Sequence, residues 1–256
     1  MSDLNFKQLE GIPLIQEGDN IAEILQYSIK KRKIHIIDGD ILAVTSKIIS
    51  KAEGRLINLN EVQPSRKALS LGKEIKRDPR FLELVISESK DIIRATEKAI
   101  IVEHKLGFIC ANAGIDHSNV QGRYGNKEDW YLLLPQAPDQ SAKSIKEYFK
   151  EKTGKEIGVI IIDSHGRPWR KGTVGVIIGT SNVPALVDLR GKSDLFGYHL
   201  KISEVAASDE LAGAASLLMG QADEKIPAIH IRGFPYHLRD SSLSEVLRPK
   251  KMDLFR

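Results

Sequence analysis

Ile157-Gly158-Val159-Ile160-Ile161-Ile162-Asp163-Ser164-His165-Gly166-Arg167-Pro168-Trp169-Arg170-Lys171-Gly172-Thr173-Val174-Gly175-Val176-Ile177-Ile178-Gly179-Thr180 contains two apolar β-type runs, Ile157 to Ile162 and Thr173 to Thr180, joined by a short connection with Gly and Pro. No helical pattern separates them, and a third strand candidate, His199 to Val205, comes next. Strands that follow one another without intervening helices break strict βαβ alternation. The sequence therefore predicts an α+β protein with mixed sheets and packed helices, not a doubly wound parallel sheet.

Outward from this stretch, a helix is expected from about Ser141 to Lys152, ended by Gly154. On the other side, Ser208 is expected to cap a helix over Asp209 to Met219 that stops at Gly220, followed by a strand at Ala228 to Arg232. Ala212, Gly213, Ala214 and Ala215 make that helix narrow, so it should pack closely against another backbone. Nearer the N-terminus, Asp19 reads as the cap of a helix over Asn20 to Lys31, with Ile21, Ile24, Leu25 and Ile29 at helical spacing. Ile41 to Ser50, after the Asp38-Gly39-Asp40 turn, reads as a buried strand or strand-loop. Two helices fill Ser65 to Lys90, broken near Asp78-Pro79, and Ala99 to His104 pairs with Phe108 to Ala111. A polar insertion occupies Gln121 to Asp129.

The 256 residues allow one large domain or two small ones. No run is long and apolar enough to cross a bilayer, and Met1-Ser2-Asp3-Leu4-Asn5 lacks the pattern of a secretory leader. One cysteine, Cys110, excludes an internal disulfide and a Cys-based zinc site, so the cytosol is the expected compartment. A net charge of +4, from 38 basic and 34 acidic residues, is less lopsided than a nucleic-acid binder usually is, and it suits an anionic, phosphate-bearing substrate. The basic clusters Lys30 to Lys33 and Arg248 to Lys251 read as solvated surface.

No GxxxxGK[ST] phosphate loop, GxGxxG, HExxH or GxSxG motif occurs. Two segments do place a carboxylate just beyond an apolar strand: Phe108 to Asn119, carrying Asp116, and Val159 to Arg167, carrying Asp163. With hydroxyl and amide neighbours such carboxylates suit magnesium or manganese, which take oxygen ligands. Asp116 and Asp163 could share one metal and the Ser164 hydroxyl serve a second. From spacing alone the favoured reading is that each Asp simply caps a turn or helix after its strand. In Ala43 to Arg55, Lys47, Lys51 and Arg55 recur every four residues, which a helix would align either as a phosphate grip or as a solvated face. Arg167, Arg170 and Lys171 form another basic group with the same two readings. The seven histidines show no ligand spacing; His117 and His165 each closely follow a candidate Asp and could support it, though a satisfied or solvent-facing role is the favoured reading, and Cys110 reads as a small core residue. Trp130 and Trp169 could pack or stack on a ligand.

Five blocks together resemble the coenzyme F-420-0:γ-glutamyl ligase family: Gly11 to Ile15, Val44 to Arg55, Asn112 to Asn119, Ile161 to Gly172 and Leu217 to Ala228. The resemblance covers Gly11 to Gly233. It implies a γ-glutamyl-ligase-like fold in a single unit spanning residues 1–256, with two intertwined structural subdomains and a homodimer. It further implies a nucleotide site lined by Ile12, Pro13, Leu14 and Ile15, with Thr45, Ser46 and Lys51 on GTP or its phosphates and Asn119 on the nucleotide. The loop Met219, Gly220, Gln221, Ala222, Asp223, Glu224, Lys225 and Ile226 would close over it. Asp116 and Asp163 would hold one Mg2+ or Mn2+, and Ser164 and Gln221 a second, with a monovalent cation as a further cofactor. Lys51, Asp116 and Asp163 become the catalytic candidates.

The implied chemistry is phosphorylation of the deazaflavin precursor's carboxylate by GTP, followed by attack of the L-glutamate amine and release of phosphate. Ser164 stands where relatives often have Thr, and Ala222 and Lys225 replace glycines common in the closing loop. The insertion beside Asn119 bears on the acceptor, so a different carboxylate is a second reading. A non-catalytic nucleotide- or nucleic-acid-binding module is a third, disfavoured by the joint presence of Asp116, Asp163, Ser164 and Gln221.

Overall fold

A five-stranded mixed sheet organises the protein, whose computed structural model describes residues 3–254; Met1-Ser2, part of the stretch read for a leader, lies outside the described residues. In chain order the strands are β1 (Asn5–Gln8), β2 (Ile41–Thr45), β3 (Leu56–Asn58), β4 (Ser89–Ala95), β5 (Ile100–His104), β6 (Ile109–Ala111), β7 (Trp130–Leu132), β8 (Gly158–Arg167), β9 (Arg170–Ser181), β10 (Val187–Asp188), β11 (Glu204–Val205) and β12 (Ala228–Arg232). The α-helices are α1 (Ile21–Lys31), α2 (Ser46–Ala52), α3 (Arg66–Ile75), α4 (Pro79–Ser87), α5 (Pro138–Thr153) and α6 (Ala207–Met219). The principal sheet runs β1-β12-β2-β8-β9, and β2 and β8 are its parallel neighbours. Smaller sheets pair β3 with β7, β10 with β11, and β4, β5 and β6 in series. The α+β expectation therefore holds. No helix of the described residues is long and apolar enough to cross a membrane.

The two central strands explain their own sequences. Ile41 to Val44 and Val159 to Ile161 are fully buried, as strands covered on both faces must be, and so read as continuous apolar runs. The facing of β8 follows from its partners. Ser164 pairs with Gly175, and Ile161 pairs with Gly179. A Cβ on Gly175 would lie 2.5 Å from the Ala212 carbonyl oxygen in α6, and one on Gly179 would lie 2.5 Å from Pro138 in α5. Residues 161 and 164 are an odd number apart, so α5 and α6 cover opposite faces. The narrow stretch of α6, with Ala212 and Ala215 fully buried, is what permits this close approach. Gly175→Ala is accordingly expected to cost about 1–3 kcal/mol through overpacking against backbone, read as a lower urea midpoint with unchanged slope.

Four expectations need correction. Ile41 to Ser50 is not one extended segment: the strand ends at Thr45, and Ile48 and Ile49 form the buried face of α2. A short apolar run does not distinguish the two periods. Asn20, not Asp19, caps α1, its side chain accepting from Glu23 N, while Asp19 accepts from Gln16 N. Ser208 lies inside α6, and its hydroxyl donates to the Pro184 carbonyl rather than to the helix start. Of His199 to Val205 only Glu204–Val205 is a strand; Ile202 is exposed, so the apolar residues there have no buried face to hold them extended.

Candidate functional site

At the carboxyl end of β2 the chain turns directly into α2, which places Thr45, Ser46 and Lys47 beside the point where β8 leaves the body of the sheet. Thr45 pairs with Ile162, and the next two residues of each strand begin the site. Ser46 is buried, and its hydroxyl donates to Asp163 Oδ1 at 2.7 Å. Lys47 Nζ lies 2.7 Å from Asp116 Oδ2 and donates to the Ser118 carbonyl and hydroxyl. Consecutive residues of α2 thus reach the two carboxylates that the sequence singles out.

Asp116 owes its position to the turn before it. Asn112, Ala113 and Gly114 all adopt positive φ, 50°, 53° and 64°. The turn is held because Asn112 Oδ1 accepts from Ile100 N and Arg77. Asp116 then exchanges two backbone hydrogen bonds with Leu132, and its Oδ1 accepts from Ser118 N and Oγ. Burial opposes the charged form of Asp116, but the Lys47 ammonium and the Ser118 donors outweigh it and hold the carboxyl below its ordinary value.

Lys51, one turn beyond Lys47, donates to the Asn119 carbonyl at 2.9 Å. Burial, then repulsion from Lys47, lowers its pKa, while Asp116 pulls the other way. Asn119, at φ 55°, donates from Nδ2 to the Ala222 carbonyl, and Ser164 Oγ donates to Gln221 Oε1 at 3.1 Å. The loop after α6 is therefore joined both to the Asp116 segment and to β8. Met219 is buried at the end of α6, Gly220 turns the chain at φ 73°, Glu224 accepts from Ala222 N, and Ile226 packs on the core. Asp223 is exposed, and Lys225 takes positive φ where a glycine would be at ease.

Ile12, Pro13, Leu14 and Ile15 lie in the loop between β1 and α1. Ile15 is buried and Leu14 exposed, and Gly18 N ties this loop to Ala52 O at the end of α2. The insertion after Asn119 is anchored to the same loop by Arg123, which pairs with Glu17; Tyr124 bonds Glu61 just after β3, and Trp130 Nε1 donates to the Tyr124 carbonyl.

One reading of the sequence changes here and two left open are narrowed. Arg55 is not aligned with Lys47 and Lys51 as a phosphate grip. Gly54 ends the helix at φ 68°, and Arg55 turns inward to bind Glu88 at 2.5 Å and the Leu134 carbonyl. Trp130 is a packing residue, whereas Trp169 is 89% exposed at the tip of the β8–β9 hairpin. Arg167 donates to the Lys171 carbonyl, within that hairpin. Cys110 is buried and pushed up to about 12, in keeping with a small core residue. Two neighbours of the site lie outside the assigned set: Lys47, the counter-charge of Asp116, and His165, whose Nε2 lies 3.1 Å from Asp163 Oδ2. For His165 the i, i+2 spacing from Asp163 on a strand was the available clue.

A divalent cation can be judged against the donors. Among the described residues no three His, Cys, Asp or Glu side chains cluster as a metal site. The candidate set instead combines two carboxylates with the Ser164 hydroxyl and the Gln221 amide oxygen, all hard oxygen donors of the kind magnesium and manganese take. The residues fit such an ion by chemistry. A cavity of about 500 Å3 elsewhere, bounded by Leu186, Arg190, Tyr236 and Arg239, contains none of these groups, and its arginines are engaged by Asp188 and Glu245.

The model of the family described as "F420-0:Gamma-glutamyl ligase" matches residues 11–233. A protein of Methanothermobacter thermautotrophicus named "Coenzyme F420:L-glutamate ligase" is 44% identical over 250 residues, 97% of each chain. Proteins of the same name from Methanocaldococcus jannaschii and Methanopyrus kandleri are 42% and 40% identical, covering 96% and 100% of this chain and 94% and 100% of theirs.

Proposed function

This chain belongs to the coenzyme F-420-0:γ-glutamyl ligase family, and from that premise we propose that it joins L-glutamate to the deazaflavin coenzyme precursor in a GTP-dependent reaction. The observation that carries the reading is the meeting of Ser46 with Asp163, Lys47 with Asp116, and Ser164 with Gln221, from four separate parts of the chain. In the reaction a carboxylate oxygen of the precursor attacks the γ-phosphorus of GTP, GDP departs, and an acyl phosphate forms. The glutamate amine then attacks the acyl carbon, expels inorganic phosphate and loses a proton.

Asp116, Asp163, Ser164 and Gln221 would hold two divalent ions, which supply neutralisation of phosphate charge when bound. Lys51 contributes fixed positive charge near the phosphates, and its partly desolvated ammonium favours an anionic ligand. Asn119 and the loop Met219 to Ile226, already joined through Ala222, enclose the nucleotide against Thr45 and Ile12 to Ile15. Positioning dominates catalysis of this kind, and no protein base is assigned.

The same reading includes two intertwined subdomains and a second copy of the chain. Leu195 and Phe196 are 97% and 94% exposed, and Ile202 and Leu217 are nearly as open, large apolar side chains of the kind a partner subunit would cover. The decisive assay combines the purified protein with precursor, L-glutamate, GTP and magnesium or manganese, following product mass and phosphate release, with sedimentation for the dimer. A mass gain of one or more glutamyl units is expected. Nucleotide binding with an unchanged precursor would sink the acceptor assignment and leave the family membership standing.

A further inference from the structure

Asp163 is held from two sides. Ser46 Oγ donates to one carboxylate oxygen, and the other faces His165. Alternation along β8 puts residues 163 and 165 on one face, while Ser164 turns to the opposite face toward Gln221. The His165 side chain is 13% exposed, and its Nε2 is buried, 3.1 Å from Asp163 Oδ2 but without an aligned hydrogen-bond partner. Its ring packs at a tilt on Phe108, centroids 5.0 Å apart, and Phe108 is stacked in turn on the buried His104 at 5.1 Å. His104 is fixed as well, its Nδ1 accepting from Leu106 N. The imidazole therefore has a rigid wall behind it and a carboxylate in front.

We propose that His165 is a positioning residue for Asp163: its Nε2–H holds Oδ2 while Ser46 holds Oδ1, fixing the carboxylate plane in which a divalent cation is received. The proposal rests on the reading of Asp163 as a ligand of that cation. A carboxylate oxygen at 3.1 Å calls for the proton on Nε2, since an imidazole nitrogen lone pair in that place would repel it. Each carboxylate oxygen has two lone pairs, so one bond to Ser46 and one to His165 leave acceptor sites for the metal. A small reorientation of the carboxylate aligns the His165 bond, and partners of this kind raise the affinity of the ligand they orient.

Mn2+ binding by the full chain, followed by electron paramagnetic resonance of the free ion, tests this without turnover. His165→Phe, which keeps the packing on Phe108 but has no donor, is expected to weaken Mn2+ binding about 10–100-fold. His165→Asn, whose amide lies where Nδ1 was, is expected to do the same. His165→Gln, whose amide reaches the Nε2 position, is expected to bind within a fewfold of wild type. Equal losses in all three variants would show a packing role and overturn the proposal, as would wild-type binding in His165→Phe and His165→Asn. Asp163→Asn run alongside separates the two levels. If it loses Mn2+ while the His165 variants do not, only the role of His165 fails; if it too binds normally, the ligand reading of Asp163 fails.

Discussion

Asp163→Asn is expected to lower glutamyl transfer by about a thousandfold while leaving the protein folded. The substitution keeps the side-chain volume and one oxygen to accept the Ser46 hydroxyl. Asp163 is partly exposed at the margin of the sheet, so the amide has room to satisfy its own donors. What disappears is a full negative charge in the place assigned to a divalent cation. A bound metal supplies several kcal/mol of charge stabilisation in phosphoryl transfer, and a loss of about 4 kcal/mol corresponds to about a thousandfold in rate. Phosphate release and product mass should fall together, with thermal unfolding close to wild type. Near-normal turnover in a folded Asp163→Asn protein would remove Asp163 from the machinery. Asp116→Asn is a less clean probe, because Lys47 would lose its counter-charge.

The parts of this site that the sequence disclosed are those carried by local pattern. An apolar run ending in Asp163-Ser164 announces a strand whose last residues face solvent, and α6 announces its own end at Gly220. Arg55 marks the limit of such reasoning. Its spacing from Lys47 and Lys51 is helical, yet Gly54, the residue that stops α2, stands between Lys51 and Arg55. That glycine was a legible sign that the row would break. Glu88, which captures Arg55, is 33 residues away, and no periodicity links the two. The same holds for Lys47. Its helix places it next to Ser46, but only the tertiary fold brings Ser46 to Asp163 and Lys47 to Asp116. His199 to Val205 failed for a different reason: apolar residues there met no sheet to bury them.

Arg232→Met is expected to produce the largest loss of stability, about 3–5 kcal/mol, from a group at the opposite end of β2 from the candidate site. Asp40, immediately before β2, is completely buried. Arg232 grips both its oxygens at 2.7 Å, Ile37 N donates to Oδ2, and His230 Nε2 lies 2.9 Å from the same oxygen. Register puts His230 and Arg232 on one face of β12. The Asp40 carbonyl also accepts from Gly158 N, so this cluster fixes the end of β12 and the starts of β2 and β8 together. Burial alone would raise the Asp40 pKa, yet Arg232, His230 and the Ile37 amide bring it down to about 2.

A depressed carboxylate contributes stability that is present above its ordinary value near 3.8 and lost as pH falls through about 2. The shift corresponds to about 2 kcal/mol, so acid unfolding of the wild type should steepen across that window. Without Arg232, burial dominates and the Asp40 pKa moves above its ordinary value, reversing the sign: protonation then relieves an unpaired buried charge. The deficit of Arg232→Met relative to wild type should therefore be largest at about pH 7 and shrink by about pH 4. Adding Asp40→Asn to Arg232→Met should recover part of it at neutral pH, since an amide needs no counter-charge. Urea titrations at the two pH values decide the matter. An equal deficit at both, with no recovery from Asp40→Asn, would mean that Arg232 acts through its packing and its bond to the His35 carbonyl instead.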